Sequence, residues 1–311
     1  MKYLKIFVLT IIIIGVVFVV WGLVVTDDLT DLVELYDSSS QYEKMEGSGS
    51  EVISGVDISV DVRDVSLFFS EDETYRLEYY EAEKDKITIS IVDGILKVEN
   101  KVRFWFHWGY ISSEVCQMDV YLPASFKDSI DVETATGDVI IADFELTSLK
   151  IEVNTGDIEI NNCNISDALE IDTDTGDVSI SKVSTASTII HTDTGRISID
   201  DSESQDQMDL KTATGDVYIK DGVADKIVVR TSTGDIKFTN VSCPDLILHA
   251  STGDINVDLL GSSQDYRLKL RTDTDDITFQ GNKYEYKLEI GQGSKYLEAT
   301  TSAGWIKVNI H

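Results

Sequence analysis

The sequence predicts an all-β protein: a parallel β-solenoid of the single-stranded β-helix type, with an irregular β cap at its N-terminal end, preceded by one transmembrane helix. A short motif centred on Thr-Gly-Asp recurs at nearly constant spacing, and apolar residues alternate with polar ones on both sides of it. Helical periodicity is absent from the repeat region. The remaining segments are assigned relative to this repeat.

Seven glycines mark the repeat, at spacings of 19 and 20 residues: Gly137, Gly156, Gly176, Gly195, Gly215, Gly234 and Gly253. Two degenerate copies follow, around Asp275 and Gly304. The seventh and fifth residues before the glycine and the second after it are almost always apolar, so each unit reads as two short strands joined at a tight corner. Such a unit cannot bury its own apolar side, whereas copies stacked about 4.8 Å apart can.

Strand parity assigns a side to each column of the repeat. The Thr column directly before glycine and the one two residues earlier are both expected to point inward, where hydroxyls bond backbone groups. The fourth residue before glycine is expected to point outward, and this column changes from acidic to basic: Glu133, Glu152, Asp172, His191, Lys211, Arg230, His249, Arg271 and Thr300. This face is either a plain solvated surface or a polarised docking surface for a partner.

An acidic column follows the glycines: Asp138, Asp157, Asp177, Asp216, Asp235 and Asp254, interrupted by Arg196. Glycine supplies positive φ at the corner and Asp bonds nearby amides, which favours a structural role. Weak binding of a hard cation such as Ca²⁺ between stacked carboxylates is the alternative. No metal site is assigned, and no other cofactor is expected.

The first 25 residues have the composition of a membrane anchor. Residues 6–25 form a run of 20 residues without a charge, and a helix of this length spans a bilayer core of about 30 Å. Lys2 and Lys5 precede the run and acidic residues follow it, which predicts a cytoplasmic N-terminus and an extracytoplasmic C-terminal domain. A cleavable signal peptide has a shorter apolar run, so an uncleaved signal anchor in the cell membrane is expected.

Two regions separate this anchor from the repeat. Residues 26–50 are interpreted as a linker, since SSSQYEKMEGSGS is rich in small polar residues. Residues 51–128 hold less regular β-type segments and are expected to cap the first open edge of the solenoid. The repeats then occupy residues 129–311 and end in a C-terminal cap, to which Trp305 in the last copy belongs.

An aromatic run precedes the repeat, VRFWFHWGY at residues 102–110. Its candidate recognition residues are Phe104, Trp105, Phe106, His107, Trp108 and Tyr110. Both faces of a strand with this sequence are aromatic, and an exposed aromatic patch is typical of a binding or membrane-contact surface. The alternative is a hairpin buried against the end of the solenoid.

Composition and spacing argue against several function classes. A formal net charge of −30 makes nucleic acid a poor partner. Cys116, Cys163 and Cys243 are too scattered for a disulfide framework or a zinc site. His191 and His249 lie three coils apart, on the order of 14 Å, which is too far for one metal ion. No nucleophile elbow, Cys–His pair or phosphate-binding loop is recognised, so no catalytic residue is assigned and the chain is predicted not to be an enzyme.

The order of these segments resembles the putative-adhesin family of bacterial extracytoplasmic β-solenoid domains, which includes LiaG-like envelope-stress proteins. The similarity is strongest in DVYLPASFKDSIDVETATGDVII and covers roughly residues 50–311. It implies the fold and an extracytoplasmic location, and it brings no catalytic residues.

The predicted function is a membrane-anchored, non-catalytic binding, adhesion or scaffold module at the cell envelope, with a role in envelope-stress sensing suggested by the resemblance. Its partners are the membrane, through the N-terminal helix, and a component of the envelope or a membrane protein. The ligand and the oligomeric state are left open. Two alternatives remain: a β-helix enzyme acting on polysaccharides, and a structural rod stiffened by Ca²⁺.

Overall fold

The computed structural model describes residues 42–70, 72–83, 85–100 and 113–311, and their long elements are all β-strands. The all-β class predicted from the sequence is confirmed for these residues. The predicted anchor at residues 1–25 and the aromatic run at 102–110 lie outside them. Within the described ranges no helix combines the length and apolar character needed to cross a bilayer.

The strands are numbered β1 to β26 along the chain. Those before the repeat are β1 (Glu43–Gly49), β2 (Gly55–Val62), β3 (Asp64–Phe69), β4 (Tyr75–Glu81), β5 (Ile87–Val92), β6 (Ile95–Asn100) and β7 (Gln117–Leu122). Those of the regular repeat are β8 (Ser129–Thr136), β9 (Val139–Ala142), β10 (Glu145–Leu146), β11 (Leu149–Thr155), β12 (Ile158–Asn161), β13 (Asn164–Thr175), β14 (Val178–Ser181), β15 (Ser184–Thr194), β16 (Ile197–Asp200), β17 (Glu203–Thr214), β18 (Val217–Lys220), β19 (Val223–Thr233), β20 (Ile236–Val241), β21 (Asp245–Thr252) and β22 (Ile255–Leu259). Those at the C-terminal end are β23 (Tyr266–Phe279), β24 (Asn282–Ile290), β25 (Lys295–Ala303) and β26 (Ile306–Ile310). Two short 3₁₀ turns lie at Ser113–Cys116 and Ser263–Asp265.

Each coil of the repeat contributes one longer strand before the Thr-Gly-Asp corner and one shorter strand after it. Both pair in parallel with the equivalent strands of the neighbouring coils. The long-strand face runs through β8, β11, β13, β15, β17, β19 and β21, and the short-strand face through β9, β12, β14, β16, β18, β20 and β22. This stacking is a β-solenoid-like repeat, and its register is the one that alignment on glycine predicts.

The core consists of aliphatic ladders that run between the two faces. The fifth residue before glycine is at most 2% exposed in the seven regular coils: Val132, Ile151, Ile171, Ile190, Leu210, Val229 and Leu248. Each such side chain contributes about 1.5–3 kcal/mol on burial. Because every rung contacts the same position in the next coil, the ladder holds the coils in one register.

Glycine is required at the corner because the preceding coil lies against it. Gly195 has φ +154°, and a Cβ built on it would lie 1.8 Å from the carbonyl oxygen of Gly176. Gly215, Gly234 and Gly253 meet the preceding glycine in the same way, at 1.9–2.0 Å. Any side chain here would therefore push two coils apart, in addition to the cost of the positive φ.

Only one of the two Thr columns points inward, so the expectation that both do was wrong. The column two residues further from glycine is buried, and Thr212 and Thr231 donate hydrogen bonds of 3.2 Å to the glycine carbonyl of the preceding coil. The column directly before glycine is exposed, as at Thr175 and Thr194. Strand alternation ends there because the backbone begins to turn before it reaches glycine.

A second corner lies six residues after the glycine, and sequence analysis did not single it out. Its residues adopt the left-handed conformation with φ of 48–68°: Asp143, Asn162, Lys182, Asp201, Asp221 and Asn240. Asp and Asn tolerate this region better than most residues. The amide of Asn162 also donates to Asp143 of the preceding coil at 2.6 Å. The recurrence of Asp or Asn at this spacing was the available signal.

The N-terminal region holds more of the repeat than its sequence indicates. β2 and β3 form a complete coil beneath β8 and β9, with Arg63 at the glycine position. β6 and β7 stack outside this coil, and antiparallel β5, β4 and β1 close the end. The capping role predicted for residues 51–128 thus belongs to their outer strands, and β1 occupies part of the predicted linker.

The last two copies of the motif are stacked in the reverse of their chain order. β25 and β26 lie directly on β21 and β22, so Gly304 contacts Gly253, and β23 is placed outside them. Antiparallel β24 then covers β23. Trp305, expected in the cap, belongs to an internal coil, where its ring is 40% exposed on the surface.

Replacing Gly215 by Ala tests the corner contact. We expect the variant to lose more than about 3 kcal/mol of unfolding free energy, because the added Cβ would lie 1.9 Å from the Gly195 carbonyl oxygen. Gly281 is the matched control: it also has positive φ, +77°, but nothing lies within 4 Å of an added Cβ. Gly281→Ala should cost only about 1 kcal/mol. Urea unfolding followed by circular dichroism measures both, and equal losses would contradict the steric explanation.

Candidate binding surface

The outward column predicted from the sequence is a continuous row on the long-strand face. Consecutive members are register partners, for example Asp172 with His191 and Lys211 with Arg230. From the N-terminal end the row reads Glu133, Glu152, Asp172, His191, Lys211, Arg230, His249, Thr300 and Arg271. The reversed stacking thus exchanges only the last two positions. We call the outer surface of the long strands around this row the polarised face.

Two further outward columns, the sixth and the eighth residues before glycine, strengthen the charge polarity of the row. Within the row and these two columns, β8, β11 and β13 carry five acidic residues, Asp131, Glu133, Glu152, Glu170 and Asp172, against the single basic residue Lys150. Within the row and these two columns, β17, β19, β21, β25 and β23 carry six basic residues, Lys211, Lys226, Arg230, Arg267, Lys269 and Arg271, against Asp209, Asp245 and Glu298. The basic half stands out on a protein with a formal net charge of −30.

Some charges of this face are already paired within the molecule. Lys150 contacts Glu152 at 2.6 Å, and Arg230 contacts Asp209 at 2.9 Å. Exposed pairs of this kind contribute little to stability. Neither Asp172 nor Lys211, which flank His191, forms an ion pair within the described ranges, so both charges are available to a partner.

A groove of about 240 Å³ lies on the acidic half of the polarised face. It is lined by Lys150, Glu152, Glu170, Asp172, Ile189 and His191, with Ile151 and Ile171 beneath them. Its acidic rim and the half-buried Ile189 suit a long basic side chain, whose aliphatic stem packs on apolar surface while its charge meets carboxylates.

A larger cleft of about 610 Å³ lies at the C-terminal end, where the chain inserts β24 after Asp275. The Arg267 guanidinium stacks over the Tyr296 ring, 4.9 Å from its centroid. Lys269 donates to Glu298 at 2.6 Å, and this hydrogen bond, opposed by partial burial and assisted by Tyr296, lowers the pKa of the Glu298 carboxyl. Glu298 is therefore held ionised and paired, which does not suit a general acid.

The acidic corner column forms a hydrogen-bonded ladder. Oδ1 of each Asp accepts the backbone N–H of the equivalent residue in the next coil, as from Asp157 to Asp138 and from Asp254 to Asp235, both at 2.8 Å. Arg196 takes part as a donor, to Asp177 at 2.7 Å. Its side chain has no acceptor atom, so it cannot continue the ladder to Asp216. The column therefore has a backbone-binding role in the structure.

Metal binding at the acidic column stays a prediction. Among residues 42–70, 72–83, 85–100 and 113–311, no group of three or more His, Cys, Asp or Glu side chains is arranged to hold a metal ion. His191 and His249 are separated along the row by Lys211 and Arg230, as the sequence spacing predicts.

The three cysteines are free thiols, two of them in the core. Cys163 donates to the Asn161 carbonyl at 3.3 Å and Cys243 to the Asp245 carbonyl at 3.2 Å. Burial raises the pKa of the Cys243 thiol to about 12 and also raises that of Cys163. Both are therefore protonated at neutral pH and poor nucleophiles. Half-buried Cys116 shows the same direction of pKa shift, again mainly from burial.

A buried polar cluster closes the N-terminal end, and no sequence motif pointed to it. The Arg63 guanidinium contacts the Asp85 carboxylate at 2.8 Å, with side chains 2% and 10% exposed. Tyr42 donates to the same carboxylate at 2.7 Å, and Asn100 donates to its other oxygen. Burial alone would raise the Asp85 pKa, but the Tyr42 hydrogen bond and the Arg63 charge together lower it. Arg63 thus joins the first described coil to the capping strands.

Asp85→Asn tests this cluster. Removing one partner leaves Arg63 charged and buried, so we expect a loss of about 3–5 kcal/mol of unfolding free energy at neutral pH. Because the native pKa of Asp85 is lowered, its contribution is present above the ordinary value of 3.8 and disappears as the pH falls through the native value. Urea unfolding between neutral and acidic pH should show this step in the wild type only.

The exposed pair Lys127–Glu145 supplies the control for that measurement. Glu145→Gln removes an ion pair on the surface, so its unfolding curve should stay close to the wild type at neutral pH. A similar loss in both variants would argue against the buried cluster as a special constraint.

The predicted aromatic recognition surface at Phe104–Trp108 and Tyr110 lies outside the described residues. It stays a prediction.

The stacked coils define a β-solenoid-like repeat protein that carries the polarised face along the side formed by its long strands. The Toastrack DUF4097 family model matches residues 53–309, so the chain belongs to this family. The family relationship bears out the resemblance to the putative-adhesin family.

Three solved structures of bacterial proteins are among those similar to this chain. A putative adhesin from Bacteroides fragilis NCTC 9343 is 12% identical, with a TM-score of 0.45, over 86% of this chain and 97% of that one. A putative lipid binding protein from Parabacteroides distasonis ATCC 8503 is 14% identical, with a TM-score of 0.46, over 88% and 98%. A putative adhesin from the same species is 11% identical, with a TM-score of 0.41, over 87% and 98%. No curated protein sequence matches the chain.

Proposed function

We propose that this protein is a membrane-anchored extracytoplasmic module that binds or scaffolds a partner at the cell envelope without catalysis. The polarised face is the observation that supports this most. Parallel strand register holds its charged side chains in rows about 4.8 Å apart, so the surface is rigid and its pattern is fixed by the backbone. The proposed architecture is a single-stranded β-helix, and the parallel pairing of both strands in every regular coil supports it.

The uncharged run at residues 6–25 supports the anchoring part of the proposal. β1 begins at Glu43, 18 residues after Val25, which limits the intervening chain to on the order of 60 Å when fully extended. The capped N-terminal end of the stack therefore stays near the bilayer. A role in envelope-stress sensing follows as part of the proposal, in which the displayed surface reports on the envelope by binding.

The chemistry of the cleft of about 610 Å³ at the C-terminal end supports a non-catalytic function. Glu289, which lines the cleft, pairs with Lys287 at 3.1 Å, and the lining residue Lys269 pairs with Glu298 at 2.6 Å. A polysaccharide-cleaving enzyme needs a carboxylic acid with a raised pKa beside an ionised carboxylate. The Glu298 pKa is shifted in the opposite direction.

Cell fractionation tests the proposed location. We expect the full chain in the membrane fraction, with residues 43–311 digested by protease added outside the cytoplasmic membrane. Replacing residues 1–25 by a cleavable signal peptide should move the folded part to the soluble extracytoplasmic fraction, because only the anchor is lost. Recovery of the full chain as a soluble cytoplasmic protein would refute anchoring.

Photo-crosslinking in cells tests the proposed binding surface. A photoreactive amino acid at Lys211, on the polarised face, should capture envelope components, whereas the same label at Lys237, exposed on the short-strand face, should not. Both positions are exposed lysines on neighbouring coils, so a difference in the amount of captured partner reflects the face on which the label lies and not its exposure. Equal capture from both positions, or none from Lys211, would remove the support for this surface.

A further inference from the structure

We propose that the polarised face pairs with the same face of a second copy, with the two stacks running in opposite directions. The acidic half of each copy then covers the basic half of the other. This inference rests on the proposed function, since it names a second copy of the chain as the partner of the same face.

The charge pattern fits a two-fold axis at the β15 row. His191 lies at the point where the row changes sign, with Asp172 one coil before it and Lys211 one coil after. An axis through this row and parallel to the strands places Asp172 of one copy opposite Lys211 of the other. Glu152 is then opposite Arg230, because both are two coils away, and this contact replaces their exposed pairs with Lys150 and Asp209. A two-fold interface of this kind uses one patch twice, so each complementary pair occurs twice.

The groove on the acidic half provides a place for the facing side chain. Lys211 is exposed and has no ion pair within the described ranges, so its ammonium group is free to enter the groove of the second copy. There Ile189 offers apolar contact to the lysine stem, while Glu170 and Asp172 offer carboxylates to its charge. The order of the strands thus places Lys211 on one side of His191 and the groove that receives the facing lysine on the other.

The opposite relative orientation is unfavourable. If the two stacks ran in the same direction, acidic half would face acidic half and basic half would face basic half, and like charges brought into contact repel. The net charge of −30 also repels two copies at long range, but at physiological ionic strength that repulsion is screened beyond about 8 Å. The local pattern at contact therefore decides the pairing and its direction.

Charge reversal in the full-length chain, held in a mild detergent, tests the proposal. Lys211→Glu with Arg230→Glu makes the four row positions nearest His191 all acidic, and Glu152→Lys with Asp172→Lys makes the same four positions all basic. We expect sedimentation analysis to show wild-type dimers and at least about tenfold weaker association for each of these double variants, since each opposes like charges. A wild-type chain that stays monomeric at every accessible concentration would overturn the proposal.

The variant with all four substitutions distinguishes loss of antiparallel charge pairing from a general disruption of the surface as the cause of weaker association. It exchanges the charges at the four row positions that flank His191, so it should associate with itself as well as the wild type does, but fail to mix with wild-type copies in a fluorescence energy-transfer assay. Lys237→Glu with Lys307→Glu is the control, because it makes the same charge change on the exposed short-strand face and should leave association unchanged. Thermal melting confirms that each variant is folded. Failure of the folded four-substitution variant to self-associate, or free mixing with the wild type, would overturn the antiparallel interface.

Discussion

The contact between successive corner glycines is the constraint on which the rest of the structure depends. A carbonyl oxygen of one coil occupies the space that a side chain of the next coil would need, so the corners stack only when glycine recurs. The buried Thr hydroxyls bond the same carbonyl groups, and the Asp carboxylates bond the amides just beyond them. Three residue types of one short motif thus act on a single turn of backbone and lock one coil to the next.

This constraint explains why the charges on the outer surface can differ from coil to coil while the fold stays the same. Register is fixed at the corner and by the aliphatic ladder, and the outward residues are not needed to set it. Their charges can vary from coil to coil without loss of stability, since exposed ion pairs contribute little. The sign change at His191 is then a property of the surface pattern alone, displayed as a row of charges at constant spacing.

Much of this architecture could be predicted from the sequence, since Gly137 to Gly253 mark every regular coil and the outward row follows by parity. The prediction was wrong where the backbone departs from parity, as at exposed Thr175, or where the motif lacks its glycine. Arg63 begins a coil 74 residues before Gly137, outside the 19–20 residue period, and an insertion separates the two. The cluster of Tyr42, Arg63, Asp85 and Asn100 joins residues far apart in sequence, and no local pattern reports such contacts.

The reversed stacking at the C-terminal end has a physical reason of the same kind. The copy at Asp275 has no glycine, and β23 passes through its corner as one continuous strand, with the Gly304 N–H bonded to the Thr274 hydroxyl. Such a corner cannot lie between two regular coils, so the outermost position accommodates it. The glycine-containing copy at Gly304 takes the internal place.

This arrangement sets an order of events during biosynthesis. The growing chain emerges with residues 266–279 before residues 295–310, yet the later segment must lie between β21 and the earlier one. Until the later segment arrives, the edge of β21 has no native partner, and any early pairing of β23 with it must be undone. The stack is therefore completed only when β25, one of the last strands to be synthesised, is inserted between β21 and β23.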